Sequence, residues 1–159
     1  MSFNNIKTNL RSEKGFTIVE LLIVIVVIGI LAAITIVSFN GVTSKANTTS
    51  AKSSASAVIK KAEAYNAEKA RYPIVGTELT SAPSTDSFSL SGVTVDSAAP
   101  TSANGKTTVQ MLKCSATALA QSAIDATNIT GIRVIHWDFS TNAVTTTPLN
   151  TGITTFCNP

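Results

Sequence analysis

Few side chains in this sequence carry reactive chemistry, and most of them stand apart. His136, the single histidine, lies beside Trp137 and Asp138. With a serine it could form a Ser-His-Asp relay, the imidazole taking the hydroxyl proton. No GxSxG or other tight turn around a serine accompanies it, so packing is the simpler account of His136. Asp86, Asp96, Asp125 and Asp138 are dispersed and lack the crowding of a calcium loop. Zinc-ligand spacings, phosphate-binding loops and dinucleotide fingerprints do not occur, and neither a metal nor a cofactor is expected. Cys114 and Cys157 are 43 positions apart. Outside the cytoplasm they would form a disulfide; two buried thiols are the alternative. The most unusual group is Glu20, a lone carboxylate four residues past the Gly15–Phe16 bond and at the mouth of a long apolar run. Its chemistry is charge pairing, because an unpaired carboxylate is costly in an apolar medium.

The element that positions Glu20 is that run. Leu21 to Val37 is seventeen residues without a charge, diluted only by Gly29 and Thr35. This is at the lower edge of the length that spans a bilayer as a helix. Lys7, Arg11 and Lys14 precede it, with Glu13 the one acid among them. The positive-inside rule then keeps the N terminus in the cytoplasm and sends the chain after Val37 across. A secretory signal peptide would have a shorter core and a small-residue cleavage site after it. Here the small pair Ala32-Ala33 lies inside the run. A plain membrane anchor fits the length but leaves Glu20 unexplained. Of the formal charge of +3, the residues before Phe16 carry +2 and the remaining chain +1. The basic balance therefore describes the leader and does not indicate nucleic-acid binding.

Lys14-Gly15-Phe16-Thr17-Ile18-Val19-Glu20-Leu21-Leu22, followed by Ile28-Gly29-Ile30-Leu31-Ala32-Ala33-Ile34, resembles the class III signal of type IV pilins and their pseudopilin relatives. The resemblance covers the first quarter of the chain. It implies an α+β type IV pilin fold, with a long N-terminal helix packed on a small antiparallel sheet. It also implies that a prepilin peptidase cuts between Gly15 and Phe16 on the cytoplasmic side and methylates the new amine of Phe16. In the filament, Glu20 would pair with the Phe16 ammonium of a neighbouring subunit and set axial register. The implied partners are further copies of the chain, the peptidase, an assembly platform with its ATPase, minor pilins and, before assembly, the cytoplasmic membrane; DNA is not indicated. The implied function is a surface filament serving adhesion, twitching motility or DNA uptake. A pseudopilin of a secretion or competence system shares the N-terminal argument. A non-polymerising surface adhesin and an anchored hydrolase using His136 are more distant. Many relatives carry proline where this chain has Val37, so a helix that stays regular there is expected.

Residues 1–15 are read as a cleaved leader, 16–39 as the membrane and filament-core helix, 40–72 as its continuation, and 73–159 as an extracytoplasmic β-domain. Ala51, Ala55, Val58, Ala62, Tyr65, Lys69 and Tyr72 step by four and three, marking one buried stripe that ends at Pro73. Asn40-Gly41 is the one place where a break competes with a continuous helix. Phe88–Val95, Val109–Ser115, Ile132–Asp138 and Ala143–Thr147 read as strands, the last two as a hairpin through Ser140–Asn142. The composition of Ala116–Ala126 favours a short helix. Asn47-Thr-Thr and Asn128-Ile-Thr match the glycosylation triplet weakly. Trp137 and Phe139 read as core, with an adhesive patch as the alternative. The tail to Cys157 resembles the bridged C-terminal region of many type IV pilins.

Overall fold

The computed structural model describes residues 15–145, 149–152 and 156–157. The basic leader positions Lys7, Arg11 and Lys14 lie outside them, as do Thr146 and Thr147 of the last expected strand. The chain divides at Phe39/Asn40 into two units.

The first unit is helical from Ile18, the start of helix α1 (Ile18–Lys69). Its side chains are aliphatic all round, and from Phe16 to Val42 every large one is about half exposed or more. Such β-branched residues have modest intrinsic helix propensity. In lipid, however, a helix satisfies every backbone group within its own segment, so that environment enforces it. The Thr35 hydroxyl donates to the Ala32 carbonyl at 2.9 Å, which satisfies the one polar side chain in the run. Among the described residues this is one helix long and apolar enough to cross a membrane. Helix α1 runs through Val37 and Asn40-Gly41.

In the second unit, α1 buries Ala51, Ala55, Val58, Ala62 and Tyr65. They meet Val109, Met111, Ile132 and Val134 of the sheet, with Leu79, Phe88 and Leu90, in one core. The alanines remove side-chain bulk from the helix face, so backbone and sheet can approach closely. Lys69 is exposed at the helix end, and Tyr72, beyond the helix, still packs half-buried against the core. Ala70 adopts a left-handed φ of 57°, its N–H capping Asn66 at 2.9 Å, and the chain turns back before Pro73.

That turn is held by Glu78, in the short helix α2 (Thr77–Thr80). Its carboxylate accepts from Tyr65 Oη at 2.8 Å, from the Arg71 guanidinium, and from the backbone N–H groups of Ile74 and Val75. Burial works against its charge, but the bonds from Arg71, Tyr65, Ile74 and Val75 outweigh it and hold the pKa down to about 2. A depressed carboxyl stabilises the fold above its ordinary pKa and loses that contribution as pH falls through the folded value. Thermal unfolding in detergent should therefore show stability falling from about pH 4.5 towards pH 2. A Glu78→Gln chain should lose roughly 2 kcal/mol at neutral pH and show a flatter acid limb.

The main sheet has the order β1-β2-β3-β6, with β1 Thr94–Asp96, β2 Thr108–Ser115, β3 Ile129–Ile135 and β6 Leu149–Gly152. The β2–β3 and β3–β6 pairs are antiparallel, with Met111 opposite Val134 and Ile132 opposite Thr151. β1 runs parallel to β2, so the sheet is mixed at one edge, with residues 97–107 carrying the chain back to a parallel start. The expected strand over Phe88–Val95 shrinks to its end. Gly92 takes a φ of 74° and breaks the alternation, leaving Phe88 and Leu90 buried from a loop. Instead of a helix over Ala116–Ala126 there is one 3-10 turn, Gln121–Ala123. The Gln121 side-chain amide bonds both the N–H and the carbonyl of Lys113, at 2.8 and 2.6 Å. It takes the place of a neighbouring strand on that edge of β2. The expected strand Ile132–Asp138 divides at His136 into β3 and β4 (Trp137–Asp138), and β4 pairs with β5 (Ala143–Val144) as a hairpin, turned by Asn142 at a φ of 54°.

Candidate assembly site

Residues 15–17 precede the helix in non-helical backbone. Phe16 is 88% exposed. A Cβ added to Gly15 would meet nothing within 4 Å, and its φ is not in the left-handed region. Nothing in the described structure therefore requires glycine there. A requirement for it must come from outside the fold.

Glu20 lies one turn into α1 and closes a reciprocal capping box with Thr17. Glu20 Oε2 accepts from the Thr17 backbone N–H at 2.9 Å and from its hydroxyl at 2.8 Å. The Glu20 N–H donates back to Thr17 Oγ1 at 3.2 Å. Oε1 has no hydrogen bond among the described residues. The carboxylate thus has a local role in starting the helix, which the argument from charge pairing missed. The signal was present in the sequence as Thr17-x-x-Glu20 before an apolar run.

Cys114 and Cys157 are bonded to each other, and no free cysteine exists. Both are almost fully buried. The bond ties β2 to the tail, where Phe156 bridges Ser115 and its carbonyl accepts the Ser115 N–H at 3.0 Å. Arg133 Nη1 also donates to the Cys157 carbonyl at 3.4 Å.

The hydrolytic alternative does not assemble. His136 is 5% exposed, and its Nδ1 is buried without a hydrogen-bond partner among the described residues. Burial lowers its pKa, with Asp138 opposing and Lys52 reinforcing that shift. Asp138 is occupied elsewhere: its Oδ1 accepts from the Ser140 hydroxyl and N–H and from Thr48 Oγ1 at 3.1 Å. Bonds from Ser140 foremost hold its pKa down to about 2. Its work is to fasten the β4–β5 turn to α1, helped by the Phe139 N–H donating to Thr48. Among the described residues no group of His, Cys, Asp and Glu could hold a metal. Asn128 accepts from the Asp125 N–H and donates to the Ala123 carbonyl, so its amide closes a turn. Trp137 packs so tightly on Gly105 that a Cβ there would come within 2.3 Å.

A family model described as the prokaryotic N-terminal methylation motif matches residues 10–36. The chain is 44% identical over 54 residues to a fimbrial protein of Pseudomonas aeruginosa, covering 34% of this chain and 35% of that protein. It is 37% identical over 71 residues to the type IV major pilin protein PilA of Myxococcus xanthus (strain DK1622), covering 45% and 32%. The matches thus span about a third of those relatives' length, and no solved structure matches. The match falls on the exposed apolar helix and its start, ahead of the helix-on-sheet domain. Over its N-terminal third the chain is thus similar to type IV pilins, and residues 10–36 carry the N-terminal methylation motif.

Proposed function

We propose that the chain is the precursor of a filament subunit, cut between Gly15 and Phe16, methylated on Phe16, and polymerised through residues 16–39. The observation that carries this reading is the bare apolar helix with one carboxylate near its start. Burying a Val, Leu or Ile side chain stabilises by about 1.5–3 kcal/mol. From Ile18 to Val37 these side chains are about half exposed or more among the described residues. They need either lipid or other copies, and the acyl-chain interior of a bilayer gives Glu20 no cationic partner. In a filament core, the ammonium created at Phe16 by cleavage supplies one, and Glu20 Oε1 is the oxygen left to receive it. Each charge offsets the burial cost of the other, and a subunit shifted by one turn leaves both unpaired. Heterologous contacts that do not close extend into an open fibre.

Before assembly the subunit sits in the cytoplasmic membrane with its leader in the cytoplasm; afterwards the sheet domain forms the fibre's outside. The prepilin peptidase, assembly platform, ATPase and minor pilins are the partners this reading requires. A fimbrial protein and a type IV major pilin among the relatives support a fimbrial filament as this reading, with a pseudopilin as the alternative. Gly15→Asp tests the first step. The fold accepts a side chain there, so a failure to cut reflects the peptidase alone. The intact mass of membrane-extracted protein should stay that of the uncut chain; a normal mature mass would place the cut elsewhere.

A further inference from the structure

We infer that His136 is an acid-sensitive latch: its neutral ring lets the β4–β5 hairpin close on α1, and protonation of the ring releases that hairpin. Ile132 and Val134 of β3 lie in the core with α1. His136 follows two residues later, 5% exposed, and Lys52 of the same helix acts on it. Its Nδ1 is buried with no hydrogen-bond partner among the described residues. Just beyond it, Thr48 of α1 fastens the hairpin. The Thr48 hydroxyl accepts the Phe139 N–H at 2.9 Å and donates to Asp138 Oδ1 at 3.1 Å. At the hairpin's far end the Thr145 N–H donates to the His136 carbonyl at 2.8 Å. The ring thus lies at the root of the hairpin, next to its tie to the helix.

A neutral imidazole can keep Nδ1 as its bare nitrogen, which a dry site tolerates. Protonation puts an N–H there with no acceptor, and a second cation beside Lys52. Asp138 favours the charged ring, but its Oδ1 is taken by Ser140 and Thr48. Lys106, in the loop before β2, is a further cation on this side, its carbonyl accepting from Ser54 of α1 at 3.2 Å. Lys113 of β2 stands opposite Ile132, four residues away, and β5 carries no titratable side chain. Burial foremost lowers the pKa of the ring. A group depressed in this way supports the fold above its ordinary value, about 6.5 for histidine, and loses that support as pH falls through the folded value. This window lies above the one in which Glu78 titrates. The latch does not depend on the filament reading.

Hydrogen–deuterium exchange of the full chain in detergent, corrected for the pH dependence of the chemical step, tests it. From about pH 7.5 to about pH 5, protection of residues 137–145 should fall at least about fivefold, the lower end of what an unpaired buried donor costs. β2 and β3 should keep theirs, because the opening is local. His136→Gln cannot take up a proton and should show equal protection at both pH values. Lys52→Gln keeps the imidazole and removes the cation beside it, so it should lose less than wild type. It decides the matter if His136→Gln does not fold. Equal protection of wild type at both pH values would overturn the inference. A loss that persists in His136→Gln would assign the effect to another group and overturn it too. So would a loss spread evenly over β2 and β3, or a Lys52→Gln chain that loses as much as wild type.

Discussion

A Glu20→Ala precursor is expected to be cut normally, to accumulate in the membrane, and to yield at most about one tenth of the wild-type fibre mass, a modest consequence for breaking a buried ion pair. The change leaves the aliphatic surface of Leu21 to Val37 untouched, so membrane insertion should persist. In the proposed fibre core it removes the partner of every Phe16 ammonium, and each of those charges would then be buried alone or the subunit left out. The capping box makes a second, smaller contribution: without Glu20 the Thr17 N–H and hydroxyl lose their acceptor, and the first turn of α1 frays more readily. The two effects separate by chemistry. Glu20→Gln keeps an acceptor for Thr17 and removes only the charge, so it should assemble almost as poorly as alanine. Fibre mass by shearing and immunoblot, set against mature subunit in the membrane, measures both. Abundant fibres from the glutamine variant would show that Glu20 serves the helix start and not the subunit contact.

The second large effect is expected from Cys114→Ser with Cys157→Ser. The bridge closes a loop with a sequence separation of 43, which stabilises by about 4 kcal/mol in the chain-entropy model. Domains of this size have a net stability of about 5–15 kcal/mol, so the loss removes a large part of it. For a unit of roughly 120 residues the midpoint should drop by about 15 °C. The double serine change avoids a stray thiol. The bridge acts on more than chain entropy, because Phe156 also covers the Ser115 N–H. Thermal unfolding of wild type in reductant should reproduce the variant; a shift of only a few degrees in both would show that the tail is held without the bridge.

The helix stripe was legible because its signal is a period. Ala51, Ala55, Val58, Ala62 and Tyr65 fall at the spacing that one buried face requires. Its end was not, since the left-handed turn at Ala70 leaves no mark in an alanine. The sheet was legible in its long members, β2 and β3, whose apolar runs are bounded by turns. It was misread wherever a single backbone or side-chain event overrode the pattern. Gly92 turned an alternating stretch into a loop, Gln121 spent its amide on the Lys113 backbone, and His136 marked the point where one strand becomes two. The site was half legible. Glu20 stood out by charge, and its anomaly pointed to a partner from another chain. Its local bond to Thr17 was equally visible as a spacing of three and was overlooked beside the larger question.

The most direct test of the filament account is the N-terminal mass of this chain in material sheared from the cell surface, with electron microscopy of the same sample. The account predicts thin fibres whose subunits begin at Phe16 and carry one added methyl group. Subunits that retain residues 1–15, or a chain cut at Gly15–Phe16 that stays in the membrane and enters no fibre, would contradict it.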